Sequence, residues 1–399
     1  MADAAADVPR PGDHGVIDVD DLLAHYTVEE LADSAEEYFA RLDTWDVLLA
    51  KPFYSVHESA DLLTSFGALL NSLELSHGLT VLDFGVGSGW TSWMLSQLGC
   101  RVIASDISSS ALQIAAERYA RFPLVGRVTQ PVFLPFDGHH LDLEDASVDR
   151  VACNDAFHHV PNPEEVLAEL ARVLRPGGVC AMSEPGPEHS LTPQSQSEMR
   201  NFRVVERNTI VEETAPQARA VGFETYEVGV YLGLPHFVDA EAFARTIDPS
   251  SPVPNELVRS FLENRRLIRM RKAGTAIVDS RRRDALTASL RVDIAADWVR
   301  LTAENVGPAV WLQDPSDFGL VNAGAHLFST DGQLLDFDFM RLRLQQSDDP
   351  IPAGARVEVV AELPHLEPGR YRVEFDLVAE GVAWFSENGS PTVIIDISR

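Results

Sequence analysis

The run Val81-Leu82-Asp83-Phe84-Gly85-Val86-Gly87-Ser88-Gly89-Trp90 leads an apolar strand into three alternate glycines, a place where main chain can approach a ligand with no side chain between. A pyrophosphate-binding loop needs its third glycine one position later, where this chain has Trp90, so the spacing does not serve a dinucleotide. Asp83, at the strand end, instead offers a counter-charge to a cationic ligand. Asp106 ends the next β-rich run with Ile107 beside it, and a carboxylate there can accept both hydroxyls of a ribose. Asp137 and Gly138 follow a third short run, where an adenine amino group would need an acceptor. Each feature alone also has a plain reading as a turn or a helix cap; the ligand reading rests on their combination.

Histidines and carboxylates recur where the later β-rich runs end. His158 and His159 follow the fourth run, and Glu184 with His189 follows the fifth. Such groups can activate a hydroxyl nucleophile: His189 would take its proton, and Glu184 would orient that imidazole or bind the acceptor directly. For His158 and His159 a structural role, capping a helix or packing on a sheet, is an equal alternative. No ligand spacing demands a metal, and none is expected.

One scaffold must bring these residues together. Val81 to Phe84, Arg101 to Asp106, Val132 to Leu134, Arg150 to Cys153 and Val179 to Glu184 read as strands, alternating with amphipathic stretches such as Ser110 to Ala120 and Glu164 to Leu174. That alternation predicts an α/β, Rossmann-like doubly wound sheet, whose ligands bind beyond the carboxyl ends of its strands. Leu31, Ala35, Tyr38, Phe39 and Leu42, at helical spacing, predict an N-terminal helical cap. Arg265 to Lys272 fits a final antiparallel strand better than a basic patch for an anionic acceptor, and Leu191 to Ile210 is then an insertion that closes over the acceptor.

Beyond Asp284 the period becomes two: Tyr371, Val373, Phe375 and Leu377 fall on one face of Arg370 to Val378. Repeated runs of this kind predict an all-β, immunoglobulin-like sandwich, with Trp298, Trp311 and Trp384 either filling its core or forming platforms for sugar rings. The expected divisions are a disordered tail over 1–15, the cap over 16–75, the α/β domain over 76–275, a linker over 276–284 and the sandwich over 285–399.

The 399 residues carry 61 acidic and 32 basic side chains, a formal charge of −29 that repels phosphate backbones and argues against nucleic acid as a partner. Cys100, Cys153 and Cys180, odd in number and set in apolar stretches, read as reduced core residues. No stretch reaches membrane-spanning length and the N-terminus has no apolar signal core, so a cytoplasmic protein is expected.

The glycine motif, the acidic residue ending the second strand and the Leu174-Arg175-Pro176-Gly177-Gly178 turn together resemble class I S-adenosylmethionine-dependent methyltransferases, over about Leu75 to Gly186. The resemblance implies that Asp83, Gly85, Gly87 and Gly89 line the methionine side of the cofactor, Asp106 holds its ribose, and Asp137 with Gly138 holds its adenine. It also implies that Asn154 and Asp155 lie near the transferred methyl group. Ala50-Lys51-Pro52-Phe53, the run Ser183 to Ser190, and Asp279-Ser280-Arg281 are similar to methyltransferases found among bacterial polysaccharide-biosynthesis proteins. Leu377 to Phe385 resembles β-sandwiches attached to glycan-processing proteins. These likenesses imply a sugar or glycan acceptor held with help from the C-terminal domain, with a homodimer possible. A small natural product as acceptor, or a non-catalytic glycan-binding scaffold, are the alternatives.

Overall fold

The computed structural model describes residues 15–126, 128–230, 240–241, 265–295, 297–314 and 318–399. Nearly all of the expected N-terminal tail therefore lies outside the described residues. The chain divides into two compact units, residues 1–75 with 79–275, and residues 76–78 with 276–399.

The first unit opens with four helices, α1 (Val19–His25), α2 (Val28–Ala40), α3 (Asp46–Leu49) and α4 (Ser59–Ser72). Helix α2 starts at a capping box: Thr27 accepts from Glu30 N and the Glu30 carboxylate accepts from Thr27 N, so two otherwise orphaned amides are satisfied. The sheet that follows contains β1 (Thr80–Phe84), β2 (Arg101–Asp106), β3 (Val132–Pro135), β4 (Val148–Asn154), β5 (Leu174–Pro185), β6 (Phe223–Val228) and β7 (Arg265–Lys272), in the order β3-β2-β1-β4-β5-β7-β6. Strands β1 to β5 pair in parallel, and β7 runs antiparallel between β5 and β6. Helices α5 (Trp90–Gln97), α6 (Ser109–Arg121), α7 (Pro163–Val173), α8 (Pro193–Phe202) and α9 (Val211–Ala220) connect or flank these strands. The central strands β1, β4 and β5, buried on both faces, explain the near-continuous apolar runs, and Val81, Leu82, Val151, Ala152, Cys180 and Ala181 are fully buried.

Arg265 to Lys272 is thus a strand, with Leu267, Ile268 and Met270 buried and its arginines only partly so. Strand β6 carried no comparable sequence signal, because Glu224, Glu227 and the single buried Phe223 leave little alternation to read.

Two polar ties lock the helical cap onto the sheet unit. Glu36 of α2 accepts from Ser108 Oγ at 2.7 Å and Ser110 N at 3.0 Å, placing a carboxylate on the N-terminus of α6. Arg118 of α6, 4% exposed, donates to Ser88 O in the glycine loop, to Leu48 O in α3 and to Lys51 O just after it.

The second unit holds β8 (Ser289–Ala295), β9 (Trp298–Glu304), β10 (Val321–Ser329), β11 (Leu334–Arg343), β12 (Arg356–Glu362), β13 (Arg370–Ala379), β14 (Ala383–Trp384) and β15 (Val393–Ser398). One antiparallel sheet runs β11-β10-β13-β14, with β15 also paired to β13, and the other runs β12-β9-β8. Both contribute to one apolar core around Leu301, Trp311, Phe375 and Phe385. Trp311 is fully buried against Phe385, which removes it from the possible sugar platforms, whereas Trp298 is half exposed. Trp384 lies between these cases: the Arg341 guanidinium sits 4.7 Å over its ring and His326 packs beside it. The stretch expected as a linker, 276–284, belongs to this unit instead; Ser280 is fully buried and donates to Gly319 O. Its hydroxyl also accepts Leu312 N, so this segment is pinned by the polar requirements of a buried turn.

Candidate active site

Glycines 85, 87 and 89 all adopt left-handed backbone angles, φ +73°, +49° and +73°, but they meet different surroundings. A Cβ on Gly85 would lie 2.2 Å from Ala156 Cβ, and one on Gly89 would lie 2.8 Å from Ala115 Cβ, so both are required by internal packing. A Cβ on Gly87 would meet nothing within 4 Å: this glycine keeps the main chain bare where the loop faces a cavity. The cavity, about 600 Å³, is bounded by the glycine loop, Asp106, Ile107, Phe136 and Gly138, then by Asn154, Asp155 and the histidines, and is roofed by α2 and α4. Its size is that of a small-molecule site.

Asp106 is buried in this wall. Its Oδ2 accepts Gly87 N at 2.8 Å and its Oδ1 accepts Ser108 N at 2.9 Å, so it also shapes the glycine loop, and burial pushes its pKa up to about 6. One lone pair on each oxygen remains for a ligand. Asn154 and Asp155 end β4 on the same wall, where Arg265 donates to Asp155 Oδ1 at 2.8 Å.

Three expected positions require correction. Asp83 lies behind the glycine loop and does not line the cavity; its Oδ2 accepts from Thr91 and Ser92 at 2.7 and 2.6 Å, fastening the first turn of α5. Its charge therefore acts from beneath the loop. Asp137 points away from the cavity and accepts His139 N and His140 N, closing its own turn and leaving Gly138 and Ile107 as the lining residues there. Glu184, fully buried, orients His158 rather than His189: its Oε2 meets His158 Nδ1 at 2.7 Å, while Oε1 accepts Ala156 N and Phe157 N. Against the cost of burial, these bonds and the neighbouring imidazole hold its pKa down at about 2.

His189 is oriented by Glu206, a residue no sequence motif marked. Glu206 is 2% exposed, its Oε2 meets His189 Nε2 at 2.7 Å, and its carboxyl is held down to about 2 by His189, His159 and His158 despite burial. With a carboxylate keeping the proton on Nε2, Nδ1 is the basic nitrogen of His189. His158, His159, His189 and Glu206 all line the cavity, as does Glu198, whose carboxyl is raised by burial and by Glu206. The insertion read at Leu191 to Ile210 supplies Gln194, Glu198, Val204, Val205 and Glu206 to this wall. No periodicity ties Glu206 to His189 across the intervening residues, so only the fold reveals the pair.

Residues 82–182 match a family model described as a methyltransferase domain. This segment is a methyltransferase domain. The chain is 35% identical to methyltransferase GfsG of Streptomyces halstedii over 117 residues, covering 29% of this chain and 41% of that relative. It is 33% identical to a demethylmenaquinone methyltransferase of Clavibacter sepedonicus, covering 27% and 43%. It is 35% identical to a malonyl-[acyl-carrier protein] O-methyltransferase of Pectobacterium atrosepticum, covering 31% and 46%. The chain thus spans less than half the length of each of these relatives.

The residues of the methyltransferase domain fit its cofactor. Gly87 presents bare main chain to the cavity, Asp106 offers acceptors beside it, and Ser88 Oγ and Asn154 Oδ1, on lining residues, are buried without hydrogen-bond partners. A ligand bearing hydroxyl and ammonium donors satisfies such groups. Asp106 then gives a pH signature. Its unliganded carboxyl takes up a proton as pH falls through about 6, and the ionised form is the one that accepts. Affinity for S-adenosylmethionine is expected to be flat above pH 7 and about tenfold weaker at pH 5. Asp106→Asn should flatten that dependence, and Asp106→Ala should cost about 1.5–3 kcal/mol of binding. Calorimetry across pH checks both; a wild-type affinity that ignores pH would remove Asp106 from the ribose position.

Proposed function

We propose that this chain O-methylates a hydroxyl of a small acceptor or of a single sugar unit, with His189 as general base. The observation that carries this reading is the His189–Glu206 pair, buried on the Glu206 side and open on the His189 side to the cavity that begins at the glycine loop. S-adenosylmethionine, when bound, would supply a methyl carbon whose bond to the sulfonium breaks as the acceptor oxygen bonds to it, with S-adenosylhomocysteine as the leaving thioether. The protein aligns the acceptor and removes its proton. As His189 Nδ1 takes that proton, the imidazolium gains the buried Glu206 charge as counter-ion, which stabilises the charge that develops. Tyr38, Phe39, Leu48 and Leu62 on the opposite wall limit water around the reacting atoms.

A sugar hydroxyl is the preferred acceptor, supported by the polar groups of Asp155, Gln194 and Arg265 in the wall. The likeness to polysaccharide-associated methyltransferases and the immunoglobulin-like reading of the second unit belong to the same proposal, in which that unit holds a glycan-bearing acceptor. The apolar wall of Leu31, Tyr38, Phe39 and Leu48 supports a second reading, a less polar natural product. Methyl-labelled cofactor offered with sugar nucleotides, glycan extracts and hydroxylated natural products separates the two. Label in sugar products, with loss on long glycans but not on monosaccharides when the chain is cut after Gly274, is the expected result. Label only in natural products establishes the second reading, and cofactor binding without any transfer leaves the non-catalytic scaffold.

A further inference from the structure

Three side chains at the foot of the cavity bring possible ligand atoms together beside the hydrogen bonds they already make. One nitrogen of His158, one nitrogen of His159 and a carboxylate oxygen of Glu206 all lie within 4.8 Å of one another. His159 Nδ1 is 3.4 Å from Glu206 Oε1, and His158 Nε2 is 3.9 Å from Glu206 Oε2. Ligands held at about 2.1 Å around a tetrahedral ion stand about 3.4 Å apart, so the three side chains close on one by drawing together by up to about 1.4 Å. Glu206 Oε1 is the independent sign: it is buried and accepts no hydrogen bond, a costly state for a carboxylate oxygen that a cation relieves.

The surrounding groups reinforce this. Glu184 binds His158 through Nδ1, which turns Nε2 toward Glu206 and makes it the available nitrogen. A carboxylate on the far nitrogen of an imidazole is the usual outer support of a metal-binding histidine. Glu198 adds a second carboxyl next to Glu206, so acidic oxygens and imidazole nitrogens gather in this part of the pocket. His159 remains partly exposed on the cavity side, leaving room for a fourth ligand from water or acceptor. Its Nδ1 donates to Val205 O at 2.7 Å, so ligation through Nδ1 requires the imidazole proton to move to Nε2.

We propose that His158, His159 and Glu206 bind one divalent transition-metal ion of the zinc class, with an open coordination position facing the cavity. Two imidazoles and one carboxylate select such ions over magnesium or calcium, which prefer oxygen ligands. Binding of the ion stands on the geometry alone. Its role, lowering the pKa of a coordinated acceptor hydroxyl so that His189 removes the proton more readily, rests on the methyl-transfer reading above.

The test uses the full-length chain without a histidine tag, dialysed against chelator and titrated with Co2+ while visible absorption is recorded. The expected result is saturation at one equivalent with the absorption of a four- or five-coordinate site, displaced by Zn2+. Glu206→Gln and His158→Ala should each abolish the signal in protein that still binds S-adenosylmethionine, and Glu184→Gln should weaken Co2+ binding by about 10- to 100-fold. Absence of a spectrum in the wild type, or equal spectra in folded Glu206→Gln and His158→Ala, overturns the site. Failure of methyl transfer with the Co2+ spectrum intact overturns the acceptor reading alone.

Discussion

His189→Ala is expected to lower turnover by about 100-fold or more while leaving the affinity for S-adenosylmethionine at its wild-type value. The imidazole lines the cavity, and its Nε2 is bound to Glu206, so removal takes away a proton acceptor without touching the glycine loop or Asp106. Single-turnover rates with labelled cofactor, together with calorimetric affinity, make the measurement. A second signature follows from the pair. Glu206→Gln keeps the shape but removes the counter-charge of the imidazolium, so turnover should fall while affinity for S-adenosylmethionine stays at its wild-type value. Wild-type turnover in His189→Ala would return this histidine to a structural role.

The largest effect on stability is expected from Glu184→Ala, about 3–5 kcal/mol of destabilisation in the first unit. The carboxylate is fully buried and serves His158 and the amides of Ala156 and Phe157, which all lose their acceptor together. Its pKa is depressed from 4.5 to about 2 on folding, so its contribution is complete above the unfolded value and is lost as pH falls from 4.5 through about 2. Chemical denaturation of wild type and variant should therefore differ fully at pH 6, and the gap should shrink toward pH 2. A gap below about 1 kcal/mol at pH 6 would show that water replaces the carboxylate easily, and that Glu184 is not what holds the loop after β4.

The sheet was legible because its signals are local. Apolar runs mark strands buried on both faces, and glycines that must take positive φ stand at fixed offsets from the end of β1. The edge of the sheet to which Asp106, Asn154, His158 and His189 belong followed from the same alternation, since ligands collect beyond the carboxyl ends of parallel strands. At the other end of the chain, Arg370 to Ala379 alternates with the side-chain period of a strand and is one.

What only the tertiary structure decided is which polar groups meet. Asp83 and Asp106 look equivalent in sequence, both acidic and both near a strand end. The first turn of α5 takes up the Asp83 carboxylate, whereas the Asp106 carboxylate is left on the cavity wall. Glu184 was close enough in sequence to pair with His189, but the direction of the chain after β5 sends it to His158. Glu206 belongs to a stretch with no motif, yet it joins three histidines. Strand and helix periods fix which face a residue occupies; the partner of a buried charge is fixed by which distant segment can desolvate it and return its hydrogen bonds, and that is a property of the packed fold.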